Sequence, residues 1–588
     1  MKRILAIIFI VGCLAAEPHP QAVQSAQEII QVFSNQSSKR HISDDLRFIA
    51  RYGHSLPEEM KNELRSLGFN FDGPIVNRSS LDERTEASGL DETYDNGMFR
   101  FHYTTTGSNA VSTADTNSNS IPDYIDVMSE TFNTVDEYQL TTLGFSEPPG
   151  DSWYPTNNDN GGNGSYDVYI RNAGSGVYGY VMQEDWADGA GDNWGNNENS
   201  SANEVNAFTS YMVMRHNYDG FPNTLIENIQ VTAAHEFFHA VQFGYDGFEE
   251  SWVFEATSVQ MEEMIYDDVN DCYQYMSSWF NNPHQALNLD SDDRWYGSFI
   301  FFEYVNSHLS VDAIKAFWEQ SITHDSYYGE YSIQTLDEAF SDLGSSFEDM
   351  LNGMSIANRV LSSSVYISPY YYEEADSYTV TPSTFSTVSF TAGGNETVSS
   401  TNLESNAAQY IKLNTNDPVS VSLANDVGNN SDLELHAIIS FGDSAWTILS
   451  SNPINVNQTS ASSIYLVVVS QNPDASNFDY TLSFTDGVAS VEPEIPMSFS
   501  VSNAYPNPFN PQTHIQIDLS VSEKINVFIY DINGRFVKTL LNGKINAGQH
   551  VLTWNGLDGN GNPASSGTYL VRLKGEKEES WQKVTLLK

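Results

Sequence analysis

The chain has 588 residues and carries 77 Asp and Glu against 26 Lys and Arg, a formal charge of −51. That balance excludes nucleic acid and anionic membrane surfaces as partners, because both need clustered basic residues. Two cysteines exclude a disulfide scaffold or a Cys-rich zinc module, while 40% hydrophobic and 13% aromatic content supports several packed cores.

Residues 1–16 read as a secretory signal peptide. Lys2 and Arg3 are followed by a short apolar run and a small-residue site at Ala15-Ala16. Ile10-Val11-Gly12-Cys13 also fits a lipobox, so lipidation at Cys13 is the alternative to cleavage after Ala16. The apolar run is too short to span a bilayer, and no other run comes near the ~20 residues required. A secreted or outer-surface protein without a transmembrane segment is expected. Residues 17–90 form a helical N-terminal or pro-segment, with Ile29, Ile30, Val32, Phe33, Leu46, Ile49 and Leu64 near helical spacing. An inhibitory propeptide is one reading of this segment, although it has no Cys to cap a metal.

Residues 91–365 mix helical patterns with strands at 99–103, 166–170 and 207–214. The sharpest signal lies here, His235-Glu236-Phe237-Phe238-His239. On a helix, histidines at i and i+4 share one face and can hold one metal ion, with Glu236 beside it as a general base. Thr224 and Glu227 have the spacing of a capping box, and Gly244 lies where the helix should stop. Asn228, Thr232, His235, His239 and Gln242 form one polar stripe on an otherwise apolar helix, a pattern that belongs in a cleft. Zinc hydrolysis needs a third protein ligand and an open position for water. Glu255, in Ser251-Trp252-Val253-Phe254-Glu255-Ala256, is the best candidate; Glu249, Glu250, Glu262 and Glu263 compete.

Residues 115–126 place Asp115, Asn117, Asn119, Asp123 and Asp126 at positions 1, 3, 5, 9 and 12, with the Ile121 carbonyl at 7. That is the ligand spacing of an EF-hand-like calcium loop. Ser120 replaces the usual Gly at position 6, and Asp126 replaces the usual Glu. The alternative is an Asx-rich turn capping the next helix.

At these residues the sequence resembles the gluzincin metallopeptidases, whose pattern is HExxH followed one helix later by Trp-x-x-Glu. It also resembles secreted bacterial metallopeptidases with HEFxH-type and WxxEGxA-type helices, over about residues 90–310. The resemblance implies that His235, His239 and Glu255 bind zinc, that Glu236 is the general base, and that the domain has an α+β, zincin-like fold. Ala256-Thr257 departs from the Gly common in that pattern. A later Tyr or His often donates to the oxyanion in gluzincins, and Tyr296 is the residue to test; a core tyrosine is the plainer role.

Residues 370–488 alternate in short strands split by Asn, Ser, Gly and Asp, as in an all-β sandwich. Residues 489–498 contain Pro493 and Pro496 and read as a linker. Residues 497–588 hold nine Lys and Arg against seven Asp and Glu, while the remainder holds 17 against 70. This break in charge marks another domain, residues 499–588. Its Tyr505-Pro506-Asn507-Pro508-Phe509-Asn510-Pro511 opening, Asp531-Ile532-Asn533-Gly534-Arg535 turn, Trp554-Asn555-Gly556 and Ser566-Gly567-Thr568-Tyr569 resemble the C-terminal sorting domains of type IX secretion and the related immunoglobulin-like hook-capping fold. Export machinery is the partner this implies, and a plain immunoglobulin-like module is the alternative.

The expectation is therefore a multidomain, secreted zinc metallopeptidase, more an endopeptidase than not, acting on protein or peptide, with calcium as a second cation. A non-catalytic surface or adhesion protein built on a protease-like scaffold is the competing reading, and a zinc hydrolase of another bond is the third.

Overall fold

The computed structural model describes residues 18–69, 88–152, 161–187, 195–327, 329–364, 369–442, 446–457, 461–472, 477–487, 500–501, 504, 506–519, 523–545, 548–559, 562–575 and 577–587. The signal peptide, Cys13 and the 489–498 linker lie outside the described residues. Two compact units are present, residues 1–275 with 290–347, and residues 276–289 with 348–588.

The first unit opens with three helices, α1 (Pro20–Phe33), α2 (Ser43–Tyr52) and α3 (Glu58–Ser66). Ile29, Val32, Leu46, Ile49 and Leu64 are all buried, so the helical spacing of these residues marks the faces that pack. A five-stranded sheet follows: β1 (Glu92–Asn96), β2 (Phe99–Tyr103), β3 (Tyr166–Arg171), β4 (Gly179–Trp186) and β5 (Phe208–Arg215). Helix α4 (Asp123–Asp136) leaves the sheet between β2 and β3. Strand order is β1-β2-β3-β5-β4. β2, β3 and β5 are mutually parallel and largely buried on both faces, one of which holds the His102–Asp167 pair, whereas β4 runs antiparallel to β5 and forms an edge. Phe99, Phe101, Phe132 and Phe237 interlock edge to face between the sheet, α4 and the next helix.

That helix is α5 (Leu225–Phe243), and α6 (Ser251–Ile265) returns against it. Both bury nearly all their residues, polar ones included. Helices Asp292–Gly297, Phe299–His308, Ala313–Ser321 and Ser332–Asp342 complete the unit.

Among the described residues the second unit holds a β-sandwich of nine strands. These are β6 (Thr384–Ser389), β7 (Glu396–Glu404), β8 (Ala408–Asn414), β9 (Val419–Asn425), β10 (Leu433–Ser440), β11 (Trp446–Ser450), β12 (Ile454–Val456), β13 (Ser463–Ser470) and β14 (Asn477–Asp486). Sheets β11-β10-β13-β8-β6 and β12-β9-β14-β7 enclose Leu403, Ile411, Val421, Leu466, Leu482 and Phe484. A boundary at residue 365 is not what the contacts draw. Most of helix Phe347–Val360 belongs with the sandwich, held by Tyr410 Oη on the Ser355 carbonyl (2.7 Å), His436 on Asn352 (3.0 Å) and Arg359 over the Tyr465 ring.

Residues 500–587 add β15 (Ser500–Val501), β16 (Thr513–Leu519), β17 (Glu523–Asp531), β18 (Phe536–Ile545), β19 (Gly548–Trp554), β20 (Gly567–Lys574) and β21 (Glu579–Leu586). Sheets β15-β16-β19 and β18-β17-β20-β21 close over a separate core of Ile517, Ile529, Trp554, Val571 and Leu586. The β17–β18 hairpin turns at Gly534, whose φ of 77° suits glycine, while Asp531 Oδ1 accepts from Asn533 N and Arg535 N.

Candidate metal centre

Helix α5 begins as its sequence dictates. Thr224 Oγ1 accepts from Glu227 N (3.3 Å), and Glu227 Oε2 accepts from Thr224 N (2.8 Å), closing a capping box. Gly244 ends the helix where its position suggested, in right-handed geometry. The polar stripe is wholly buried, facing β4 and α6.

Helical spacing then stacks His235 and His239 one turn apart, ring centroids 4.8 Å from each other. From α6, Glu255 Oε2 lies 3.1 Å from His235 Nε2 and 3.6 Å from His239 Nε2. The three donors all fall within 4.8 Å of one another and are fully buried. His239 Nε2 and Glu255 Oε1 have no hydrogen-bond partner, a costly state for buried polar atoms unless a cation is bound. Two imidazoles and one carboxylate fit zinc by donor chemistry.

The opposite ring nitrogens are held by an outer layer. His235 Nδ1 meets Glu262 Oε1 at 2.7 Å, and His239 Nδ1 meets Gln242 Oε1 at 2.7 Å. Gln242 Nε2 in turn donates to the Phe254 carbonyl and to Thr257. Such contacts fix which ring nitrogen is turned toward the converging donors. Among the competitors for third ligand, Glu262 is thus a partner of His235 Nδ1, and Glu249 and Glu250 bind Ser332 instead.

Electrostatics follow from packing opposed charges without water. Burial opposes the charged imidazole of His235, but hydrogen bonds to Glu255 and Glu262 outweigh it and push its pKa up to about 10. Burial likewise favours neutral Glu255, yet the adjoining His239 and His235 hold it well below the usual carboxylate range. Glu236 is lowered for the same reason: burial opposes, and His41, His235 and His239 prevail.

Glu236 projects beside the three donors, but it is not free. Ser43 Oγ donates to its Oε2 at 2.8 Å, and His41 Nδ1 stands 3.6 Å from its Oε1. The His41 ring stacks against both His235 (4.4 Å) and Tyr296 (5.0 Å), which are 6.2 Å from each other. Burial, with the His235 charge, pushes His41 down to about 3, so the ring is neutral. Tyr296 is buried and also stacks on Tyr275 at 5.1 Å, which brings it to the site rim.

Residues 115–126 lie apart from this centre. Asn119 N and Ser120 N donate to Asp115, Ile121 N donates to Asn119 Oδ1, and Asn117 and Asn119 donate to Asp126. Ser118 and Ser120 adopt positive φ (60° and 71°) to make the turn. Asp123 instead caps backward, accepting from Thr116 N at 2.8 Å.

His41, Ser43, Tyr275 and Gln242 as a ligand holder are the site residues that sequence reasoning passed over. A signal did exist for the first two: Lys39-Arg40-His41 is a basic run, followed by a helix start, in a chain of charge −51.

No curated protein matches the sequence. Among solved structures, PorZ, an essential surface component of the type-IX secretion system of Porphyromonas gingivalis, is similar at 21% identity over 18% of this chain and 14% of its own, with TM-score 0.12. Dimeric latent PorU from the same organism is similar at 15% identity over 29% and 18%, with TM-score 0.14. A β-1,2-glucanase from Parabacteroides distasonis is similar at 10% identity over 29% and 27%, with TM-score 0.12. The chain thus spans at most 27% of the length of these structures, and the overlaps are too local to carry an argument. One family model is matched, and it bears on the last domain: residues 502–579 match the FlgD Ig-like domain.

Proposed function

We propose that the protein is an exported zinc metallopeptidase. The observation that carries the reading is the convergence of His235, His239 and Glu255 beside Glu236, with buried His239 Nε2 and Glu255 Oε1 left without other partners. Zinc, when bound, polarises a scissile carbonyl and makes water a stronger acid. His235, His239 and Glu255 would hold it. Glu236 Oε2 would take a proton from the attacking water and return it to the leaving amine. Glu262 and Gln242 would fix the imidazoles, and Tyr296 would contribute a hydroxyl to the developing oxyanion.

The test pairs metal analysis of the purified protein with casein cleavage by wild type and Glu236→Gln. One zinc per chain in both, with hydrolysis only in the wild type, is expected. Zinc-free wild-type protein would end the proposal. A non-catalytic surface protein is the second reading, and the engagement of Glu236 by Ser43 and His41 is what favours it; retained zinc without hydrolysis under any condition would select it.

Two further roles accompany this reading. The 115–126 loop would bind calcium through Asp115, Asn117, Asn119, Asp126, the Ile121 carbonyl and Asp123. The spacing supports this, although Asp123 is turned to cap Thr116. The FlgD Ig-like domain would serve as the address read by type IX export machinery, placing the protein outside the cell or on its surface. Among the described residues no helix is long and apolar enough to cross a membrane.

A further inference from the structure

Residues 39–43 run alongside the edge of the five-stranded sheet. Lys39 N donates to the Ser175 carbonyl, Tyr178 N donates to the Arg40 carbonyl (both 3.2 Å), and Val181 N donates to Ser43 Oγ at 3.0 Å. An edge strand offers unpaired backbone groups, and an added extended segment is the usual way to satisfy them. This segment, which leads into α2, delivers the side chains of His41 and Ser43 onto Glu236 and so covers that carboxylate beside the converging donors.

Of its two long cationic side chains, Lys39 pairs with Glu28 and Asp45, whereas Arg40 goes into a pocket of aromatic rings and a carboxylate. The Arg40 guanidinium lies 3.9 Å over the Tyr178 ring, with the Tyr275 ring 5.8 Å away, and it pairs with Asp271. Asp271 is itself held by Asn223 Nδ2 (2.6 Å) and Gln274 Nε2 (2.9 Å). Two aromatic faces and an oriented carboxylate recognise a planar guanidinium better than an ammonium. The pocket adjoins the centre directly. Arg40 Nε donates to His41 Nε2 (3.1 Å), and Tyr275 Oη lies 2.8 Å from the same atom. With that nitrogen accepting, His41 Nδ1 carries the hydrogen that faces Glu236.

We propose that Tyr178, Asn223, Asp271 and Tyr275 form an arginine subsite of the cleft, and that residues 39–43 fill the cleft as an intramolecular pseudosubstrate, with Arg40 in the subsite. The substrate class is then a peptide with arginine beside the bond cut, and the chain is latent while the segment is docked. The inference rests on the peptidase reading for its chemistry but not for its binding. A tethered segment acts at an effective concentration of order millimolar, so even weak subsite affinity keeps it in place.

The test uses the full chain. Calorimetry follows binding of arginine amide, with citrulline amide as the uncharged isostere, to wild type, Arg40→Ala, Arg40→Ser and the Arg40→Ala/Asp271→Asn double variant; melting curves check folding, and Arg40→Ser is the second emptied variant if alanine disturbs the fold. Arginine amide should bind either vacated variant at least tenfold tighter than wild type, at least tenfold tighter than citrulline amide, and not the double variant. Equal binding of both amides, or none to a folded Arg40→Ala or Arg40→Ser, overturns the subsite. Casein assays run alongside: the vacated variants should cleave at least tenfold faster than wild type, after arginine. Asp271-dependent binding with no cleavage would leave the subsite standing and overturn the peptidase reading. Cleavage without arginine binding would do the reverse.

Discussion

Glu262 touches no metal donor atom directly, yet its Oε1 sits 2.7 Å from His235 Nδ1 inside a fully buried layer. Outer-layer partners of this kind set ligand orientation and basicity, and their loss costs about 10–100-fold in metal affinity. Glu262→Gln keeps an acceptor oxygen but removes the charge. Competition against a chelator should therefore show zinc affinity falling within that range, with the melting temperature of the metal-loaded protein little changed. His235→Ala should lose stoichiometric zinc outright, since two donors cannot hold it; a variant retaining one zinc per chain would refute the ligand assignment. Tyr296→Phe separates the ring from its hydroxyl. The stacking on His41 and Tyr275 survives, so a fall in kcat of about 10²-fold with unchanged KM is the outcome expected of an oxyanion donor. An unchanged kcat would return Tyr296 to a packing role.

At the scale of elements, α5 was legible because its determinants are local: a capping box within four residues and a stripe with helical period. Glu255 was legible for a similar reason, since α6 follows directly and returns antiparallel. What could not be read was α2 and the segment before it. Ser43 meets Glu236 across 193 positions and Arg40 meets Asp271 across 231, and no spacing rule reaches that far. The same helix places Arg47 on the Glu249 carbonyl and on Ser251, against a wall of buried carboxylates at the end of α5. Burial raises Asp246 to about 6, and burial plus the neighbouring acid raises Glu249 and Glu250 to about 7 each. These folded values lie above the unfolded ones of about 4, so the folded state binds more protons between them. Their contribution to stability is full below pH ~4 and is lost as pH rises through 6–7. Glu249→Gln should remove part of that loss. Melting curves at pH 5 and pH 8 should converge by an amount on the order of 1 kcal/mol relative to wild type. An identical pH slope in the variant would rule out the buried acids as its cause.

For the whole molecule, the legible features were the ones written in composition. The alternation of residues 370–488 gave the sandwich, and the shift from −53 to +2 marked the last domain. The boundary between units was not legible, because residues 276–289 leave one unit for the other and return, and helix Phe347–Val360 packs by Tyr410 and His436 rather than by any repeat of its own. The FlgD Ig-like domain has a core whose members, Ile517, Ile529, Trp554 and Val571 among them, are all its own. The sandwich core is likewise complete without it. A domain that contributes no side chain to another core can be removed without opening a cavity there, and cavities are what make truncations costly. Deleting residues 499–588 should therefore leave zinc content and casein cleavage within about twofold of the full chain, a tolerance set by the absence of any cavity term. In a host equipped for type IX export, the truncated protein should instead fail to appear outside the outer membrane. Fractionation of such cells decides the matter, because the two readouts are independent. Equal export with and without the domain removes the sorting role and leaves a plain immunoglobulin-like module. Loss of zinc on truncation would mean instead that the domain supports the metal centre, which its self-contained core argues against.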